Sequence, residues 1–273
     1  MQTLEFRAFT IDGDPRSGNP AGVVLDAGEL TEQDMLETAA RLGHSETAFV
    51  VGRDADRVRV RYFTPRAEIA FCGHATIATG VVLAQAGWGE RFVFEVKAGE
   101  VPVESDGTTG EFAAVDTPVE SLDVAHLAEL LAALRLDPAD LDPALPPALV
   151  HGGNLHPLIA VRPGVLGRLD HDADAVLALQ DRLGWDGTVP VVVRESATRF
   201  ASRNPFPRGG MREDPATGSA AAGLGAYLRW GGFVTAPEVI TVDQGAHARR
   251  ACRILVDVPA EGRVSVRGSA APL

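Results

Sequence analysis

Apolar and polar positions along this chain alternate in short runs, punctuated by glycine and proline clusters. Residues 4–11 read as a strand, 12–20 as a turn-rich segment and 21–25 as a second apolar run. Thr31 predicts a cap for a helix from 32 to about 42, where Met35, Leu36, Ala39 and Leu42 fall at helical spacing before Gly43 stops it. Two strands follow, since Thr47, Phe49 and Val51 alternate with Glu46, Ala48 and Val50, and Val58, Val60 and Tyr62 alternate with arginines. The pattern then predicts a helix over 74–86 and strands over 91–96, 100–104 and 111–115. Further on come a surface helix near 123–135, strands near 157–161 and 188–194, a helix over 219–230, and strands to the end. Pro118 marks a junction, and the proline-rich stretch 137–147 reads as a loop.

The helices at 74–86 and 219–230 share an unusual property. Ala75, Ile77, Ala78, Val81, Val82 and Leu83 leave no polar stripe, nor do Ala220, Ala221, Ala222, Leu224, Ala226 and Leu228. A helix apolar all round yet too short for a membrane is surrounded by protein, so a sheet curled around a central helix is expected twice. The two segments also align. Placing 213 over 68 superposes Glu213 on Glu68, Gly218 on Gly73, Ala220 on Ala75, Gly225 on Gly80 and Gly232 on Gly87. The chain reads as a duplication, each copy feeding a glycine-led helix start that can hold an anion on backbone amides.

Composition narrows the function. The chain has 273 residues, and at about 100–150 residues per domain that favours two units. With 25 basic and 37 acidic residues the net charge is −12, which disfavours nucleic acid and anionic membranes and favours a small ligand. Two cysteines, Cys72 and Cys252, make no disulfide framework; the start carries no signal-peptide pattern, and a cytoplasmic protein is expected. The single lysine, Lys97, sits in a stretch that reads as exposed strand, a poor Schiff-base candidate. The seven histidines lack paired metal-ligand spacing, so no metal is expected.

Four motifs in order carry a resemblance: Gly18-Asn19-Pro20-Ala21-Gly22-Val23; Ser45-Glu46-Thr47-Ala48-Phe49-Val50; Phe63-Thr64-Pro65 with Phe71-Cys72-Gly73-His74; and Glu213-Asp214-Pro215-Ala216-Thr217-Gly218-Ser219-Ala220. The chain resembles the phenazine-biosynthesis PhzF-like isomerase family of the diaminopimelate epimerase fold superfamily. The resemblance implies an α+β protein of two pseudo-symmetric domains, 1–117 and 118–261, each a mixed, mostly antiparallel sheet or barrel around a central helix. It further implies a last strand, about 262–273, returning to the first domain, an interdomain active site, a homodimer, and isomerase chemistry without a cofactor.

Carried onto this sequence, the family pattern makes Glu46 the proton shuttle, a role that desolvation of a cleft-facing carboxylate would support. His74 and Asp214 match further active-site positions, and Gly73, His74, Gly218, Ser219 and Asn19 are expected to bind a carboxylate-bearing, cyclic or amino-acid-like substrate. His74 at a helix start should stay neutral. Gln244-Gly245 are expected near the cleft. The segment 204–210 is expected to reshape its rim, with Arg208 or Arg212 adding a carboxylate contact. Superfamily racemases pair two cysteines, whereas here Cys72 faces Thr217, which excludes a two-thiol racemase. A Cys72-dependent epimerase or dehydratase, and a silent binding protein, are the competing readings.

Overall fold

The structure, a computed structural model, describes residues 2–115 and 117–273. Its first half contains β1 (Gln2–Ala8), β2 (Asn19–Leu25), α1 (Glu32–Leu42), β3 (Glu46–Asp54), β4 (Arg57–Phe63), β5 (Glu68–Ile69), α2 (Gly73–Gln85), β6 (Arg91–Val96), β7 (Gly99–Ser105) and β8 (Thr109–Ala113). The second half contains β9 (Val119–Ser121), α3 (Val124–Ala133), β10 (Ala148–His151), β11 (Leu155–Ala160), α4 (Val165–Arg168), α5 (Ala173–Leu183) and β12 (Val191–Arg194). It ends with β13 (Arg199–Pro205), β14 (Glu213–Asp214), α6 (Gly218–Trp230), β15 (Glu238–Gln244), β16 (Cys252–Val258) and β17 (Ser265–Pro272). Thr31 accepts from the Asp34 amide in a reciprocal capping box and Gly43 closes α1 in the left-handed conformation, as the pattern predicts.

The duplication extends to strand pairing. In the first half β1–β2 is antiparallel, β2–β3 parallel, β3–β4 antiparallel, β4–β6 parallel and β6–β7 antiparallel. In the second, β10–β11, β11–β12, β12–β13, β13–β15 and β15–β16 repeat that sequence of directions. The short strand before each central helix pairs with the same neighbour, β5 with β4 and β14 with β13. An ion pair holds each of these turns: Arg61 Nε donates to Glu68 at 2.8 Å, and Arg203 donates through both arms of its guanidinium to Glu213. The acidic residue repeated in sequence is therefore a cross-strand clasp.

One strand belongs to both halves. β17 pairs with β8 along one edge; along the other it meets β16 through Leu255–Asp257 and then β1 through Phe6–Ala8. With β7–β8 this closes β1, β2, β3, β4, β6, β7, β8 and β17 into an eight-stranded barrel around α2. The α2 residues from Gly73 to Leu83 are all buried, as are the α6 residues from Gly218 to Leu228 inside the second sheet. Full burial of each Val, Leu or Ile side chain contributes roughly 1.5–3 kcal/mol, which explains why these helices carry no polar stripe. Gly225 sits where a Cβ would stand 2.8 Å from Val256, so helix and strand pack closer than alanine allows. Among the described residues no helix is long and apolar enough to cross a membrane.

Candidate active site

Two helix N-termini meet head to head. A Cβ on Gly73 would lie 2.9 Å from the Gly218 Cα, and one on Gly218 would lie 3.2 Å from the Gly73 Cα. Cys72 and Thr217 occupy the two capping positions, and the N-termini of α2 and α6 point toward common ground. That ground is a cleft of about 280 Å³, lined from both halves. Glu46, Cys72, Gly73, His74, Asp214, Thr217, Gly218 and Ser219 all face it.

Glu46 begins β3, where the register sets it beside Ala21 of β2, and it is 5% exposed. Its Oε2 is buried without a hydrogen bond and stands 3.5 Å from His74 Nε2. Desolvation, reinforced by the charge of Asp214, raises its pKa to about 8. Asp214, at the end of β14, is raised to about 6 by burial, against hydrogen bonds from Thr217 and Asn19 that favour its charge. Burial drives His74 down to about 3, so its ring is neutral, as the helix-start position suggests. Burial also pushes the Cys72 thiol well above its ordinary value, with Glu46 adding to the shift. Cys72 Sγ lies 3.4 Å from His74 Nδ1.

Asn19, expected at the substrate, stands behind the cleft wall. Its amide donates to Asp214 Oδ1 at 2.8 Å and to the Ala216 carbonyl at 3.2 Å, and lies 3.2 Å from His74 Nδ1. It thereby links His74 of the first half to Asp214 of the second. On its other side the His74 ring sets Nε2 3.4 Å from Ser45 Oγ and 3.5 Å from Glu46. Gln244 lies one layer deeper still, donating to the Asp214 carbonyl at 2.8 Å and accepting from the Thr217 amide at 3.2 Å. Gly245 has φ of +85°, and a Cβ there would meet the Arg250 and Pro215 carbonyls at 2.2 and 2.4 Å. This pair fixes the turn that carries Asp214.

Segment 204–210 contributes Phe206, Arg208 and Gly209 to the rim. Arg208 is held by Asp181 at 2.5 Å. Arg212 does not line the cleft: it donates to Asp170 at 2.6 Å and to the His171 carbonyl, because the turn after β13 points it away. Lys97 is exposed, 3.9 Å from Glu68 and off the cleft. Glu46, Cys72 and His74 each offer one ligand atom, all within 4.8 Å of one another. They constitute a possible three-ligand metal group that histidine spacing could not reveal, because Glu46 lies outside the local motif.

Sequence reasoning missed His156. It is fully buried and lines the cleft, with Nε2 3.0 Å from Ser219 Oγ and Nδ1 3.1 Å from the Thr188 carbonyl. Burial lowers its pKa to about 4. The available signal was Gly153-Asn154 ahead of β11, which echoes Gly18-Asn19 at the start of β2.

Among known proteins, the family model for phenazine biosynthesis-like protein (PhzC-PhzF) matches residues 6–273. A protein of Escherichia coli K12 named uncharacterized isomerase YddE is 35% identical over 242 residues, which cover 83% of this chain and 78% of the relative. The trans-2,3-dihydro-3-hydroxyanthranilate isomerase of Pseudomonas chlororaphis is 29% identical over 255 residues, covering 91% and 87%. The crystal structure of a PhzF-family phenazine biosynthesis protein from Bacillus anthracis superposes with a TM-score of 0.84 at 26% identity, covering 100% of this chain and 98% of that one. A probable proline racemase of Agrobacterium radiobacter K84 shares the fold, with a TM-score of 0.67 at 13% identity over 99% and 90% of the two chains.

Proposed function

This chain belongs to the phenazine biosynthesis-like (PhzC-PhzF) protein family, and on that premise we propose that it is a cofactor-independent isomerase that moves a proton along a small carboxylate-bearing substrate. The observation that carries this reading is Glu46: a buried carboxyl with a pKa near 8 and an oxygen free of hydrogen bonds, opening into a cleft between two helix N-termini. A base poised near neutrality can take a proton and give it back.

In the forward step Glu46 removes a proton from a substrate carbon, and the electron pair of that C–H bond moves into the conjugated framework. The negative charge that develops lies between the amides opening α2 and α6, with no reorganisation required. His74 is neutral, with Nε2 3.5 Å from Glu46, and in its Nε2–H form it would donate to the anionic carboxylate and lower the cost of its ionisation. Protonated Glu46, whose acidic proton exchanges with solvent, then delivers a proton to a second carbon, so substrate and product differ only in where a hydrogen and a double bond lie. The substrate carboxylate is held by the amides of Gly73 and Gly218 and their neighbours.

Solvent-deuterium incorporation tests this, starting from trans-2,3-dihydro-3-hydroxyanthranilate, the compound in the name of the Pseudomonas chlororaphis relative, and extending to cyclic hydroxy- and amino-carboxylates. Turnover with deuterium entering the product, lost in Glu46→Gln, is expected. Incorporation at the wild-type rate in Glu46→Gln would remove Glu46 from the mechanism.

A further inference from the structure

Three side chains able to bind a metal converge on one wall of the cleft. Glu46 comes from the start of β3, Cys72 from the position before α2 and His74 from the first turn of that helix. One ligand atom from each lies within 4.8 Å of the other two, and among the described residues no other three histidine, cysteine or carboxylate groups meet in this way. His74 Nε2 is 3.5 Å from Glu46 Oε2 and 4.0 Å from Cys72 Sγ. Tetrahedral zinc, with bonds of about 2.0–2.3 Å to nitrogen, oxygen and sulfur, spaces its ligand atoms roughly 3.3–3.6 Å apart. The histidine and the glutamate already stand at that spacing, and the sulfur is about half an ångström beyond it, within reach of a small side-chain rotation.

The state of the three groups agrees with the spacing. None is more than 6% exposed, and all three line the cleft. Glu46 Oε2 has no hydrogen-bond partner, Cys72 is in no disulfide, and burial keeps the His74 ring neutral, with a lone pair to give. Binding a divalent cation displaces the thiol proton, and any proton on Glu46, to water. A thiolate and a carboxylate then offset the double positive charge, so a neutral assembly sits beside two helix N-termini that would repel a bare cation.

We infer that Glu46, Cys72 and His74 form a site for a thiophilic divalent cation, zinc being the type case, and that its occupation shuts the enzyme down. The metal is an inhibitor and takes no part in turnover, because it holds the Glu46 lone pair that must otherwise accept a substrate proton. The inhibition rests on the proton-shift reading above; the binding site does not. Cys72 decides which metals enter: a carboxylate and an imidazole alone discriminate poorly, whereas a thiolate selects zinc over magnesium.

Cobalt and zinc titrations test the site without any turnover. One equivalent of Co²⁺ added to the reduced protein is expected to give a thiolate-to-cobalt charge-transfer band in the near ultraviolet, abolished by Zn²⁺ and unaffected by excess Mg²⁺. Cys72→Ala and Cys72→Ser should both lose the band and Cys252→Ala should keep it, with circular dichroism showing that each is folded. Zinc affinity by calorimetry should fall about 100-fold in the Cys72 variants and also fall in Glu46→Gln. A wild type without the band, or zinc affinity unchanged in the Cys72 variants, overturns the inference. In the deuterium-exchange assay zinc should stop incorporation, EDTA should restore it, and Cys72→Ala should tolerate about 100-fold more zinc. Zinc bound through Cys72 with exchange undiminished would overturn the inhibition, and with it Glu46 as proton carrier, while the metal site would stand. Normal exchange in a protein that gives no band would remove the site and leave the proton-shift reading intact.

Discussion

Gly73 and Gly218 are in backbone contact across the cleft, at a separation that leaves 2.9 Å between a hypothetical Cβ on the first and the Cα of the second. The duplication places both at the first turn of a fully buried helix, 145 residues apart, and only hydrogen side chains let the two N-termini approach this closely. Gly73→Ala must therefore push the helices apart or displace Phe112, whose ring would be 3.1 Å away. The expected result is a loss of about 100-fold in kcat/KM with a destabilisation of about 1–3 kcal/mol, read from steady-state kinetics and urea unfolding. Wild-type kinetics in this variant would show that the amides do not act together.

The pH dependence follows from the two acids. As a base Glu46 must be ionised in the free enzyme, and its pKa is raised to about 8, so kcat/KM should climb with pH and level off above about 8. His74, lowered to about 3, contributes no limb in the working range. A profile flat from pH 6 to 9 would contradict the assignment.

Asn19 joins the acids to the histidine, and its replacement by aspartate separates electrostatics from packing. Asn19→Asp keeps the shape but puts a third carboxylate beside Asp214, where the amide now donates at 2.8 Å. Like charges disfavour ionisation, so the ascending limb of the kcat/KM profile should move to higher pH. A lower kcat/KM with an unmoved limb would mean that Asn19 serves packing alone.

Much of this arrangement was legible in the sequence, and the remainder was not for physical reasons. α2 and α6 could be read because a helix apolar on every side has only one environment in a protein this size. Glu46, His74, Asp214 and Ser219 converge on the cleft as the motifs led one to expect, since each motif sits at the end of a strand or the start of a helix. The closure of the barrel by β17 depends on pairings with β1 and β8 from the opposite end of the chain, which no local pattern encodes. α5 went unpredicted although Asp172 caps it and Gly184 ends it. His156 escaped because its meaning lies in Thr188 and Ser219, 32 and 63 residues away. Arg212 was drawn to the cleft by its place next to Glu213, yet the β13–β14 turn sends it toward Asp170.

Cys72 separates the competing chemistries. The thiol is buried, and its pKa is raised well above the ordinary value, so it is neither a thiolate nor a ready base at neutral pH. Cys72→Ala is expected to retain most of the wild-type kcat, and iodoacetamide at pH 7 should leave Cys72 unmodified in the folded protein, as mass spectrometry of peptides would show. Loss of turnover in Cys72→Ala with unchanged folding would favour a thiol-dependent epimerase or dehydratase.

The acid that makes the cleft reactive should also weaken the fold. Glu46 is raised from 4.5 to about 8, so the folded state prefers its protonated form; stability from this group is fully present below pH 4.5 and is lost as pH rises through 8. Asp214, raised from 3.8 to about 6, acts in the same direction over a lower window. Glu46→Gln keeps the volume and removes the ionisation, so it should match the wild type near pH 4.5 and exceed it increasingly up to pH 8. The gain at pH 9 should be on the order of a few kcal/mol. It has a second source, because without the Glu46 charge nearby Asp214 ionises more readily. Urea unfolding of both proteins at pH 5, 7 and 9 measures the difference directly, and a gap that does not widen with pH would mean that Glu46 is already solvated in the folded state. An inactive variant more stable than its parent is the expected signature of a charge buried for chemistry and not for folding.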